Sequence, residues 1–234
     1  MTAPARRRPG VAVVVVVAAV AAAAAAQPAA AQQGAISRLE DLAGALREHP
    51  VWTASYHQEF LPAGMAAGEE VDGQVWVAWP DRAHFRSGSP EVRLMGLDGR
   101  QVRLVDLDLP SCEEHLLDDD EWARIPLAAV LDPRTAVDRF TVLSLGERGF
   151  ALEPRRPGGV ARVEVLLRAD NLPLEVVVVD PQGATNRLAF GAWTALAQPP
   201  PGGWLPSPPA GVACSGEGAG GGGRVDDDRG RLRR

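Results

Sequence analysis

The chain has 234 residues and a formal net charge of −6, with 24 basic residues, every one of them Arg, against 30 acidic ones. Between Gln32 and Ala197 the balance is 16 Arg to 26 Asp plus Glu, a net charge of −10, which argues against nucleic acid or an anionic membrane surface as a direct target. The four His are scattered, with no H-E-x-x-H, C-x-x-C or G-x-S-x-G pattern, so no metal, no cofactor and no catalysis are expected.

Arg6, Arg7 and Arg8 open the chain with a basic segment, Val11 to Ala26 is an uncharged run of 16 residues, and Ala29-Ala30-Ala31 fits a small-residue cleavage site. The three parts read as a secretory signal peptide over residues 1–31, with Gln32 as the first mature residue. The alternative is an uncleaved anchor, for which the run falls short of the roughly 20 residues that span a bilayer. About 200 residues remain, enough for one domain with a substantial core. That domain is expected over 32–197, followed by a disordered Pro- and Gly-rich tail over 198–234.

Ile36 to His49 is the first predicted helix of the domain. Ser37 and Glu40 have capping-box spacing, Ile36, Leu39, Leu42, Ala43 and Leu46 make an apolar stripe at helical period, and Pro50 ends it. Strands follow. Val51 to Leu61 places Trp52, Ala54, Tyr56 and Phe60 on one face. Val71 to Trp79 is apolar on both faces, with Val75, Val77 and Trp79 pointing one way and Trp76 and Ala78 the other. An antiparallel strand ordinarily has one wet face, so something must cover each side of this one. Pro80-Asp81 breaks it, and a new strand runs from His84 to Ser87. Val92 to Leu97 and Arg100 to Leu107 form a hairpin closed by Asp98-Gly99, which suits the positive φ angles of a type I′ turn.

Between Pro110 and Pro133 the period changes. Acidic residues crowd the stretch from Glu113 to Glu121, which is either a docking patch for a basic partner or a solvated loop; the spacing is wrong for a calcium loop. Pro126 to Leu131 reads as one or two helical turns, apolar nearly all round. Strands return at Phe140 to Leu145, Phe150 to Glu153 and Val160 to Arg168, and a last hairpin joins Leu174–Val179 to Ala184–Phe190 through the turn Asp180-Pro-Gln-Gly183. Cys112 and Cys214 would close a loop of about 100 residues if paired; two separate thiols are the other possibility. The sum is mainly β with helices: nine or ten antiparallel strands in a meander, which must curl or leave an edge.

Trp52-x-Ala-x-Tyr56-x-Gln58, Gly73-x-Val-x-Val-x-x-Pro80, the hairpin Leu94 to Gly99, Ile125-Pro-Leu-Ala-Ala-Val130, and Leu172-Pro-Leu with the turn Asp180 to Gly183 together resemble the bacterial outer-membrane lipoprotein carrier family. The resemblance runs from Ile36 to Trp193. It implies a curled antiparallel sheet, an unclosed half-barrel, capped by the N-terminal helix and a short mid-chain lid helix. It also implies a monomeric periplasmic carrier whose apolar cavity takes lipoprotein acyl chains from an ATP-driven inner-membrane ABC complex to an outer-membrane receptor or membrane. The same fold could instead serve as a lipid- or lipoprotein-sensing module in envelope signalling. The family often carries Arg immediately before the Pro, where it locks the lid; here Trp79 holds that position.

On this resemblance the cavity wall is Trp52, Tyr56, Phe60, Val75, Val77, Trp79, Phe85, Leu94 and Met95, and the lid is Ile125, Leu127, Val130 and Leu131. Each buried methylene is worth about 0.8 kcal/mol. Several fully sheltered acyl chains would be bound too tightly for release, so the cavity is expected to shelter them in part, or to be filled by its own lid when empty.

Overall fold

The computed structural model describes residues 15–122 and 133–216. Helix α1 (Val15–Arg47) leads into strands β1 (Val51–Leu61), β2 (Glu69–Ala78), β3 (Arg82–Ser87), β4 (Arg93–Asp98), β5 (Gln101–Asp106) and β6 (Ser111–Leu116). Two short helices follow, α2 (Asp119–Trp122) and α3 (Pro133–Arg139). The chain then resumes as β7 (Phe140–Ser144), β8 (Gly149–Pro154), β9 (Arg162–Leu167), β10 (Pro173–Val179), β11 (Thr185–Phe190) and β12 (Thr194–Leu196). All twelve strands belong to one antiparallel sheet in the order β6-β5-β4-β3-β2-β1-β11-β10-β9-β8-β7, with β12 paired to the start of β1. Strands β6 and β7 are not paired to each other, so the sheet is unclosed. The expected class therefore holds: mainly β, with an N-terminal helix and a short mid-chain helix on an open antiparallel sheet.

One face of the sheet, the inner face, packs on α1. Leu39, Leu42 and Leu46 from the predicted stripe, with Ala35, join Trp52, Ala54, Tyr56, Val75, Val77, Phe150, Leu152, Val163 and Val165 in a single apolar cluster. The strict alternation predicted for Val160 to Arg168 is realised in β9, where Val163, Val165 and Leu167 are buried between partly exposed neighbours.

Several expectations are corrected. Helix α1 runs continuously through the Ala-rich run, whose residues have the highest helix propensity, so Ser37 and Glu40 lie inside it and do not cap a start. The reciprocal capping box is at α2 instead: the Glu121 amide donates to Asp118 Oδ1 (2.7 Å) and the Asp118 amide to Glu121 Oε2 (2.9 Å). The β4–β5 hairpin turns one residue later than expected. Asp98 pairs with Gln101, Gly99 has φ of 63°, and Arg100 is not left-handed, which is the φ pattern of a type II′ turn. The acidic stretch contains an unexpected strand, β6, because its charges are matched by neighbours and it lies at a sheet edge, where charge is tolerated.

The tail differs most. The disorder expected from Gln198 onward does not hold for residues 198–216, which lie as a strap against the outer face. Trp204 packs with Val51, Trp76 and Ala78. Cys214 is disulfide-bonded to Cys112, and Ser215 pairs with Glu113 on β6. The two apolar faces of β2 are thus covered by different parts of the chain: Val75 and Val77 by α1 and the core, Trp76 and Ala78 by the strap.

Candidate functional site: an apolar trough on the inner face

The strand registers put directly opposed residues into rows across the inner face. One row reads Ala54, Val75, Phe85, Met95, Leu104, Glu113; the next, toward α1, reads Trp52, Val77, Ala83, Leu97, Val102, His115. A third reads Tyr56, Gly73, Ser87, Arg93, Asp106, Ser111. Residues in one row share a face because strand side chains alternate.

These rows sort the predicted wall. Trp52, Tyr56, Val75 and Val77 are buried in the main core, and Phe85 packs at its margin. They are filled in by the main core. The Tyr56 hydroxyl reaches Ser87 Oγ at 2.6 Å, and burial raises its pKa. Trp52 presents a buried Nε1 with no hydrogen-bond partner among the described residues. Phe60 and Met95 do line an open cavity. Leu94 lines the same cavity, although its partners Arg86 and Val105 place it in a row on the outer side, because register rather than hydrophobicity decides which way a strand residue points. The predicted lid residues Ile125, Leu127, Val130 and Leu131 lie outside the described residues. The chain that contains them joins β6 to β7, the two unpaired edges of the sheet.

Beyond the reach of α1, whose strand contacts concentrate on β7 and β8, the inner face over β2 to β6 carries a trough of about 710 Å³. Its lining is mixed: Phe60, Val71, Val92, Leu94, Met95, Leu104, Val105 and Leu109 are apolar, and Glu69, Glu70, Asp106, Asp108 and Glu113 stand among its polar residues. Leu104 is 44% exposed and Phe60 40%. The volume falls in the range typical of small-molecule sites. Arg93 and Asp106 form an ion pair at 3.5 Å on the inner row. The Asp106 carboxyl also accepts the amides of Leu109 and Asp108, and the first of these does most to hold its pKa below the ordinary value.

At the other end of the inner face, Trp79 is 41% exposed and the guanidinium of Arg47, in the last turn of α1, lies 4.8 Å from its ring centroid. The cation that the resemblance places before Pro80 is here an aromatic ring, with a cation brought to it by the helix. Arg82 points away, to Asp98 at 2.7 Å. Arg47 escaped the sequence reading; its one signal is a basic residue in a helix's last turn.

The acidic stretch is largely self-satisfied. Glu114 is held by Arg103 (2.5 Å) and by the Gln101 amide (2.7 Å), and the Arg103 hydrogen bonds hold its pKa low. Asp119 pairs with Arg100, and Glu121 with His115. The histidines are dispersed: His57 faces Asp72, and His84 is buried on the outer side.

His84 clasps the strap. Its Nδ1–H donates to the Trp204 carbonyl at 2.9 Å, and its Nε2 accepts from Arg86 Nε at 3.2 Å. Burial is the main cause that lowers its pKa. Arg86 stacks over Trp76 and donates to the Pro201 carbonyl (2.6 Å), while Arg103 donates to that of Pro206 (3.1 Å). No local pattern announces these residues.

The sequence profile of the outer membrane lipoprotein carrier protein LolA family matches residues 49–202. The outer-membrane lipoprotein carrier protein of Chromohalobacter salexigens is 29% identical over 155 residues, covering 64% of this chain and 73% of its own. That of Xylella fastidiosa is 25% identical over 159 residues, covering 65% and 75%. Among solved structures, the Pseudomonas aeruginosa MucA/MucB complex matches 70% of this chain and 59% of its own at 19% identity, with a TM-score of 0.44. A likeness of that size says nothing of function.

Proposed function

This chain belongs to the outer membrane lipoprotein carrier protein LolA family, and from that membership we propose that it is a periplasmic carrier that shelters lipoprotein acyl chains and moves them from the inner to the outer membrane. The observation that supports this best is the trough over β2 to β6, where Phe60, Met95 and Leu104 leave apolar surface open to water on the face that elsewhere forms the core. Partly exposed leucine and phenylalanine in a concavity of this size are what an acyl chain would cover, at about 0.8 kcal/mol per methylene removed from water. The other half of the inner face is already occupied by α1. This accords with a site that covers its cargo in part and releases it again.

In this reading residues 1–31 are a signal peptide that delivers the chain to the periplasm and is removed. The segment with Ile125, Leu127, Val130 and Leu131 covers the trough, and the cargo passes from an inner-membrane ABC complex to an outer-membrane receptor. The role is binding, not catalysis. Trp79 with Arg47 takes the place of the family's Arg at the lid lock.

The test is displacement of a fluorescent fatty-acid probe. Leu104→Glu sets a carboxylate against the acyl chain at a half-exposed site, so the fold survives. Losing one leucine's burial (about 1.5–3 kcal/mol) lowers affinity by at least tenfold. Leu116→Glu, on the outer face, leaves it unchanged. Equal affinity in both variants sinks the trough as the site. Transfer of a labelled lipoprotein from inner-membrane vesicles into the soluble fraction then separates a carrier from a sensor of the same fold, which would bind without transferring.

A further inference from the structure

A second cavity, of about 560 Å³, opens between the end of α3 and the β8–β9 connection, remote from the trough in the sheet order. Three arginines line it, Arg139, Arg155 and Arg156, against one acidic residue, Asp138. Among the described residues eight arginines make ion pairs with Asp or Glu and six make none, namely Arg38, Arg47 and Arg148 elsewhere in the fold and Arg139, Arg155 and Arg156 at this cavity. These three make none, although the surrounding domain has ten more acids than bases. Unpaired arginines gathered in one concavity of an acidic protein are a local positive site that the net charge hides.

The site is also partly built. The Arg155 amide donates to the Arg139 carbonyl at 2.8 Å, which ties the strand end to the helix end, and Arg155 Nη2 donates to the Val137 carbonyl at 3.3 Å. One edge of the Arg155 guanidinium is thereby anchored, and its remaining N–H groups are left for a ligand. Planar guanidinium forks match the oxyanions of phosphate and bind them in pairs. Pro157 and Val160 add an apolar wall beside the charges. A free phosphate has no use for that wall, whereas a lipid headgroup with its glycerol and first methylenes does.

We propose that this pocket binds the phosphate-bearing headgroup of an anionic phospholipid, and so docks the β7–β8–β9 end of the sheet on a membrane surface. The site is independent of the acyl trough. It also reconciles docking with the acidic surface: the domain's overall charge prevents indiscriminate adsorption, and the three arginines make contact at one place and in one orientation.

The experiment is co-sedimentation of the purified chain with vesicles of equal parts phosphatidylglycerol and phosphatidylcholine, and with phosphatidylcholine alone. Binding is expected to the mixed vesicles only, and to weaken as salt rises. Each arginine near an anionic surface is worth roughly a fivefold factor, so Arg139→Gln with Arg155→Gln and Arg156→Gln loses affinity on the order of a hundredfold. Arg187→Gln, which removes an exposed arginine already paired with Glu175, leaves binding unchanged. Equal binding to both vesicles, equal loss in the control, or full retention in the triple variant overturns the proposal. So does titration of the arginine side-chain NMR signals by inorganic phosphate with no vesicle binding, which would make the pocket a free-anion site.

Discussion

Replacing both cysteines, Cys112→Ala with Cys214→Ala, should destabilise the protein by about 4–5 kcal/mol. The bridge joins residues 102 positions apart. In the chain-entropy description, closing a loop of about 100 residues removes roughly 4.7 kcal/mol of freedom from the unfolded chain at 25 °C. The folded side changes less, because His84, Arg86 and Arg103 still hold the strap by hydrogen bonds to the carbonyls of Trp204, Pro201 and Pro206. For a domain of this size each kcal/mol moves the melting temperature by about 2–4 °C, so the double variant should melt about 8–20 °C lower. Equilibrium urea unfolding of parent and variant, each with and without a reducing agent, measures this directly: reductant should lower the midpoint of the parent to that of the variant and leave the variant's own midpoint where it was. A parent that shows the same midpoint in both conditions and as the double variant would refute the reasoning, since the loop would then not be closed by this bond in solution.

Two further outcomes concern the same strap. Burial depresses the pKa of His84, so the folded state takes up its proton less readily than the unfolded chain. Its contribution is therefore complete above the unfolded value of about 6.5 and is lost as the pH falls through the lower folded value. The urea midpoint should decline on acidification over that window, with the decline reduced in His84→Gln; an equal decline in the variant would remove His84 from the account. At Gly96 a β-carbon would stand 2.3 Å from the Trp204 carbonyl oxygen and 2.5 Å from Pro206 Cδ. Gly96→Ala must push the strap off the sheet at a cost of about 1–3 kcal/mol, seen as a red shift of tryptophan emission and faster hydrogen exchange around Trp204. Unchanged exchange there would mean that the strap does not lie on Gly96.

The residues that could be read locally were those whose pattern is itself local. The stripe of α1, the alternation of β9 and the two-faced greasiness of β2 each follow from which way neighbouring side chains point, and each was found where it was expected. The order of hairpins followed from their turn residues, with Gly99 and Gly183 at positive φ. A resemblance spread over many such elements was therefore enough to anticipate the family and the open sheet. The candidate site was legible only in part. Phe60, Leu94 and Met95 line the trough, Leu94 from a row that register sets on the outer side, and Trp52, Tyr56, Val75 and Val77 are claimed by the core.

What could not be read is what depends on residues distant in the chain. A segment rich in Pro and Gly has little order of its own. The strap is ordered because His84 meets Trp204 across 120 positions and Cys112 meets Cys214 across 102. The acidic strand β6 exists because Arg103 neutralises Glu114 from the neighbouring strand and Ser215 pairs along its edge. Composition and period settled which surfaces had to be covered; which part of the chain covers each of them was decided by tertiary contacts, because burial rewards any apolar partner and only the folded path brings a particular one within reach.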